Sequence, residues 1–380
     1  MFSSTSTAAY LGAASLCRAG KSLPYSPPQK TSLAPTEVAI EPEIPIIDPH
    51  HHLWYMAELA HKKPPPPDNV MARMWTGLLP RYARYLLDEF LADVRTGHRI
   101  NATVYMEAGS MYRITGPEKM RSVGEVEFAN GVAAMSASGE FDAVKVCAGI
   151  VGNVNLLLGD AAQSVLEAHM AAGDGRYRGV RNSVAYDSNP RVLGSGGRPH
   201  MLLDRQFRRG VSQLRRYSLS LDVFLLEPQL PELTDLAQAF SEVQIILNHV
   251  GEPLGVAGYV REERFPIWRK NIHSLAKLEN VSVKLGGLGS TPLQGFETFL
   301  ANKPATSEQL AKEWMPYIET CIDAFGVNRC MFESDFPPGS NSCSYVVLWN
   351  AFKRIASRAS NREKDALFSG TARRVYRLDV

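Results

Sequence analysis

Asp48-Pro49-His50-His51-His52-Leu53-Trp54 places two imidazoles two residues apart, with a carboxylate two residues before them. In an extended chain, residues two apart project to the same side. His50 and His52 therefore face one way and His51 the other. A pair of imidazoles at a strand end suits a divalent cation. Asp48 shares their parity and either points into the same interior or ends the strand. The preceding run Ile44-Pro45-Ile46-Ile47 reads as a buried strand that delivers the histidines to a site. Taken alone, a His-x-His pair is more often a satisfied core or surface feature than a metal site, so its weight depends on what the other elements bring.

Seven more short apolar runs follow, read as strands over 101–107, 143–151, 177–181, 220–227, 243–249, 281–286 and 329–335. Between them lie stretches of helical spacing: Pro80 to Gly97, Val123 to Ser138, Val165 to Gly173, Phe207 to Leu214, Pro231 to Phe240 and Trp268 to Leu278. Thr306-Ser307-Glu308-Gln309 fits a capping box, and Leu310, Trp314, Ile318, Cys321 and Phe325 continue that helix until Gly326 stops it. Ser360-Asn361-Arg362-Glu363 caps a last helix. Strands alternating with helices predict a parallel sheet, and eight units fit a closed (β/α)8 TIM barrel, with a doubly wound open sheet as the alternative. No glycine-rich nucleotide loop follows any strand.

Active sites of such barrels lie at the C-terminal strand ends. Those ends carry His50 and His52, Glu107, Arg181, Glu227, His249, Lys284 with the Gly286-Gly287 turn, and Asp335. Three histidines and carboxylates at one mouth predict a hydrolytic metal site. A bound cation there would lower the pKa of its water towards about 7 and polarise a carbonyl. Asp335 would take the proton of that water, and Arg181 could hold a substrate carboxylate by a bidentate pair. The competing reading of Arg181 is an ion pair with Glu107. Glu107 and Glu227 read equally as site residues or buried ion-pair partners. Trp54 could stack on substrate or serve the core. Lys284 could point into the barrel, and His51 belongs to the packing between strand and helix.

The chain of 380 residues is 45% hydrophobic and 21% charged, ordinary for a globular protein. Its 41 Lys and Arg against 39 Asp and Glu give no reason for a nucleic-acid partner. No run is apolar enough for a membrane helix. The five cysteines, scattered and odd in number, read as reduced thiols of an intracellular protein. Residues 1–40 are rich in Ser, Thr, Ala and Pro, with Arg18, Lys21 and Lys30 before the first acid, Glu37. They read as a disordered tail or a transit-peptide-like extension, so the expected location is cytoplasmic, or mitochondrial if the tail targets the chain. Residues 41–380 form the expected barrel. The four prolines Pro64 to Pro67 predict a loop beyond the histidines, placed as a partial lid.

The sequence resembles the amidohydrolase superfamily, in particular its amidohydrolase 2 branch of lactonase-like TIM-barrel hydrolases. The resemblance covers about residues 44 to 380. It rests on Asp48 to Trp54, Arg178-Gly179-Val180-Arg181, Leu247-Asn248-His249-Val250-Gly251-Glu252-Pro253, Val283-Lys284-Leu285-Gly286-Gly287, Met331-Phe332-Glu333-Ser334-Asp335-Phe336-Pro337 and Gly370-Thr371-Ala372-Arg373-Arg374-Val375-Tyr376. It implies hydrolysis of a lactone or related cyclic ester or amide of a carboxylated small molecule. Asp335 and His249 would be catalytic. Arg181, Glu107 and Trp54 would meet the substrate. His50, His52, His249, Glu227 and Asp335 would hold one divalent metal, zinc or manganese. Relatives often carry His at the end of strand 5, where this chain has Glu227. That departure leaves open a metal-free route in which the histidines bind substrate. The resemblance also implies two alternatives, a nonoxidative decarboxylase and a barrel that only binds a ligand. A homodimer is a further expectation.

Overall fold

The computed structural model describes residues 37–56, 70, 83–192 and 197–380. Most of the 1–40 extension lies outside the described residues, as do the Pro64 to Pro67 loop and the start of the helix expected from Pro80.

Eight strands make the sheet: β1 (Ile46–His51), β2 (Ile100–Met106), β3 (Lys145–Gly152), β4 (Tyr177–Ser183), β5 (Ser220–Phe224), β6 (Ile245–Leu247), β7 (Val281–Leu285) and β8 (Cys330–Phe332). They pair in chain order, and every pair is parallel. The ends of the series meet. Asp335 N donates to His50 O at 2.9 Å and His52 N donates to Phe336 O at 2.8 Å. A parallel bridge between His51 and Phe336 completes the ring. The sheet is therefore a closed (β/α)8 barrel, not an open one.

Closure is stapled by Asp48, a fully buried carboxylate. It accepts from Ser334 N at 3.0 Å, Ser334 Oγ at 2.6 Å and Tyr345 Oη at 3.1 Å. Asp48 thus joins β1 to the β8 end and does not enter the site, although burial pushes its carboxyl up to about 6.

The main helices are α1 (Leu87–Val94), α2 (Val123–Ala137), α3 (Ala162–Gly173), α4 (Arg205–Leu214), α5 (Leu230–Ala239), α6 (Arg261–Leu275), α7 (Ser307–Phe325), α8 (Tyr345–Ile355), α9 (Asn361–Asp365) and α10 (Thr371–Val375). The capping boxes at Thr306 and Ser360 form as the sequence predicts. Helix α1 begins later than expected, because Arg84–Tyr85 pair with Trp54–Tyr55 as a two-residue ladder and Glu89 then caps Leu86 N. Helix α8 has no counterpart in the sequence reading. Only Arg354 of its residues is exposed; Asn350 and Lys353, which share its side, are buried against the 37–41 segment.

The helices pack on the outside of the barrel, with Phe90, Phe207, Trp268, Trp314 and Trp349 fully buried among them. Burying each such side chain contributes roughly 1.5–3 kcal/mol. Inside the barrel a smaller cluster of Ile47, Val104, Val151, Ile246 and Met331 meets Ala372, Val375, Tyr376 and Leu378 of the C-terminal segment, which floors the closed end. Strand β5 ends three residues short of Glu227. Pro228 opens a turn over Glu227–Gln229 instead, so Leu225 and Leu226 extend the apolar run without extending the strand. No helix among the described residues is long and apolar enough to cross a membrane.

Candidate metal and active site

His50 and His52 leave the end of β1 on one side, both buried. Their Nε2 atoms lie 3.2 Å apart. Asp335, beyond β8, brings Oδ1 to 3.3 Å from His52 Nε2 and 3.4 Å from His50 Nε2. His249, beyond β6, stands beside His50 with ring centroids 4.8 Å apart, and its Nε2 is 3.8 Å from Asp335 Oδ2. His51 turns the other way, stacks on Phe90 at 4.2 Å and meets Thr103 Oγ1 at 2.9 Å.

The backbone bends sharply to present these groups. His249, Val250, Glu252 and Asp335 have φ of 52°, 49°, 40° and 51°, a region that non-glycine residues seldom occupy. Such strain collects at functional sites. The Gly286-Gly287 turn after β7 supplies empty space. A Cβ on Gly287 would fall 2.1 Å from His249 Nδ1, and one on Gly286 would fall 2.4 Å from Glu333 Cγ. Glycine at both positions lets His249 and Glu333 approach the axis.

Hydrogen-bond partners assign the tautomers of His52 and His249. His52 Nδ1 meets the Met106 carbonyl at 2.9 Å and must donate to it, so His52 Nε2 carries a lone pair. His249 Nδ1 donates to Glu333 Oε1 at 2.7 Å. At His50 the neighbours disagree: Glu333 Oε2 lies 2.6 Å from Nδ1, while Lys284 Nζ, 3.3 Å away, donates to the same nitrogen, so these contacts leave both tautomers of His50 open. His50 Nε2, His52 Nε2 and Asp335 Oδ1 converge, each within 3.4 Å of the other two.

Two groupings among the described residues could hold a metal: His50, His52 and Asp335, or His50, His249 and Glu333. In the second, Glu333 already meets both Nδ1 atoms. The first brings together two imidazole nitrogens and one carboxylate oxygen. Its separations of 3.2, 3.3 and 3.4 Å match the spacing of about 3.3 Å that tetrahedral bonds of about 2.0–2.1 Å impose on neighbouring ligands. The residues present therefore fit a zinc-sized ion. Glu333 would orient His50 and His249 from behind.

Electrostatics follow from burial and charge. Burial lowers His52, and burial together with the Lys284 charge holds His50 well below the ordinary histidine value. Burial alone would lower His249, but the Glu333 and Asp335 carboxylates outweigh it and carry the ring up to about 9. Burial would raise Asp335, yet His249 and His52 keep it below the ordinary aspartate value.

The other expected site residues are placed differently. Arg181 Nε donates to Glu107 Oε1 at 2.7 Å and Nη2 to Glu107 O at 2.6 Å, so the Arg181–Glu107 ion pair forms. Its positive charge still reaches His50, His52 and Asp335. Trp54 is fully buried and stacks on His52 with centroids 5.7 Å apart, backing that ring. Glu227 does not join either metal grouping. Arg264 of α6 holds its carboxylate at 3.0 and 2.5 Å, a fork-like pair that occupies both oxygens. The reason is local: the turn opened by Pro228 carries Glu227 past the strand end towards α6.

Glu333 received no role from the sequence. Its signal was parity, since it lies two residues before Asp335 and so shares its side. Glu252, fully buried behind His249, also went unassigned. Burial pushes it up to about 7, and it accepts from Thr291 Oγ1.

Comparison with known proteins agrees with this architecture. An uncharacterised protein of Sinorhizobium fredii is 33% identical over 338 residues, covering 88% of this chain and 99% of that one. An L-fucono-1,5-lactonase of Burkholderia multivorans is 30% identical over 209 residues, 53% of this chain and 64% of that enzyme. The crystal structure of a Burkholderia multivorans amidohydrolase with bound zinc superposes with a TM-score of 0.62 at 25% identity, over 88% of this chain and 99% of that one. The amidohydrolase family pattern matches residues 47–378, and the chain belongs to that family of hydrolases.

Proposed function

We propose that the chain opens a lactone, or a related cyclic ester or amide, of a small molecule bearing a carboxylate. The observation that carries this reading is the triangle of His50 Nε2, His52 Nε2 and Asp335 Oδ1, buried at the barrel mouth and spaced 3.2–3.4 Å. Zinc or manganese held there would polarise the carbonyl and acidify water. Asp335 takes a proton from the attacking water, whose oxygen bonds to the carbonyl carbon. The ring C–O bond then breaks, and Asp335 returns the proton to the departing alkoxide. His249, fixed by Glu333, lines the same space. Arg181, already neutralised in part by Glu107, attracts the substrate carboxylate from the β4 side. The lactonase name of the Burkholderia relative and the zinc in the superposed amidohydrolase support this choice of substrate class and ion.

A panel of carboxylated lactones, assayed before and after chelation, tests the proposal with Asp335→Asn as control. Losing a general base costs about 10²–10⁴-fold in rate, and the variant should fall by that much. Turnover unchanged in Asp335→Asn would remove the aspartate from the mechanism. Release of CO₂ from an aromatic or unsaturated acid, without ring opening, would replace hydrolysis by decarboxylation.

A further inference from the structure

Strand β1 changes faces part-way along. Ile46 packs with the outer layer, and Ile47 belongs to the cluster inside the barrel. Regular alternation from Ile47 would turn Asp48 and His50 outwards and His51 inwards. Asp48 follows it, since its carboxylate accepts from Ser334 and Tyr345. His51 breaks it. It faces outwards as well, stacked on Phe90, although it lies three residues after Asp48.

The register gives the reason. Asp48 pairs with Thr103 and His51 with Tyr105, so β1 takes three steps where β2 takes two. The extra residue makes a β-bulge, and a slip of one residue exchanges the faces of all that follow. That bulge is what turns His50 and His52 into the barrel. Strand β3 carries a second bulge: β2 takes two steps from Ala102 to Val104 while β3 takes four, from Lys145 to Gly149. Cys147 lies in its middle with φ of 54°.

Thr103 stands between the two bulges, fully buried. Its Oγ1 accepts from Cys147 N at 3.0 Å and meets His51 Nε2 at 2.9 Å. Cys147 Sγ is 4.0 Å from the same ring nitrogen, and His51 Nδ1 has no hydrogen-bond partner among the described residues. The Thr103 hydroxyl therefore makes the short hydrogen bond of the His51 ring.

We propose that Thr103 is a positioning residue: its hydroxyl holds His51 on the outer face, keeps the β1 bulge in place and so directs His50 and His52 towards Asp335. The functional meaning rests on the proposed metal site, and the experiment separates the two. Thr103→Val keeps the branched shape and loses the hydroxyl, whereas Thr103→Ser keeps it. His51→Phe keeps the ring that stacks on Phe90 and loses Nε2. Each is measured by zinc competition against a chelator, with a thermal melt alongside.

Residues behind metal ligands are worth about 10–100-fold in affinity. Thr103→Val and His51→Phe should each weaken zinc binding by about tenfold or more, and Thr103→Ser should restore most of it. Combining Thr103→Val with His51→Phe should add little, because both act through one contact. A Thr103→Val protein that melts earlier but binds zinc like the wild type would overturn the proposal, as would losses that simply add. Unchanged zinc affinity in His51→Phe would overturn it even if Thr103→Val failed to fold. A wild type that takes up no zinc would defeat the metal reading alone. Crystal structures of metal-free wild type and His51→Phe would then decide. The variant should lose the 3.2 Å approach of the His50 and His52 Nε2 atoms, and unchanged placement would overturn the role of the Thr103–His51 contact.

Discussion

A single residue decides how many protein ligands the site offers. Glu227 occupies the position where related barrels often bring a histidine, and the sequence alone leaves its role open between ligand and ion-pair partner. Arg264 occupies both of its oxygens. Glu227→Gln should therefore leave metal content unchanged while lowering stability by about 1–3 kcal/mol, the scale for weakening a hydrogen bond to a buried charge. Parallel thermal melts and elemental analysis check this, and loss of metal in the variant would return Glu227 to the ligand set. The pair His50 and His52 was legible because strand geometry fixes which residues share a side. Glu333 was not, because within Cys330 to Phe332 and the residues after it nothing distinguishes a strand interior from its exit.

At the level of elements, strand ends place the chemistry and glycine turns make room for it. The alternation of eight apolar runs with helical spacing was enough to predict the closed barrel. What the pattern could not give was the exit of each strand. Strand β5 stops at Phe224 because Pro228 opens a turn, and helix α8 is buried on nearly every side, its polar stripe confined to Asn350, Lys353 and Arg354 near its end. The Gly287 turn carries the sharpest prediction at this scale. Gly287 has φ of 66°, and its missing Cβ would collide with the His249 ring. Gly287→Ala should cost about 1–3 kcal/mol and displace His249, so turnover should collapse while circular dichroism stays native. Full activity in that variant would show that His249 need not sit where the turn allows it.

Across the whole molecule, one buried carboxyl away from the candidate metal site ties its pH response to the β2 side of the mouth. Glu125 of α2 accepts from Ala108 N at 2.8 Å, Ser110 N at 3.0 Å and Tyr105 Oη at 3.1 Å, fixing the loop that follows Glu107. Burial first, and the Glu107 charge second, push it up to about 8 from an ordinary 4.5. A carboxyl raised in this way keeps its proton in the folded state where the unfolded chain has lost it. Its contribution is complete below pH 4.5 and is lost as pH rises through about 8. Melting temperature should therefore fall over that window, and Glu125→Gln, which imitates the protonated form, should flatten the fall. Equal slopes in the two proteins would mean that Glu125 ionises freely in the fold.

The claim on which the rest depends is that a cation belongs among His50, His52 and Asp335. Elemental analysis of purified wild type and of the double variant His50→Ala with His52→Ala tests it directly. The expected result is about one zinc or manganese per wild-type chain and almost none in the variant, as for a catalytic site with three protein ligands. A metal-free wild type that still opens lactones, or a variant that keeps its metal, would contradict it.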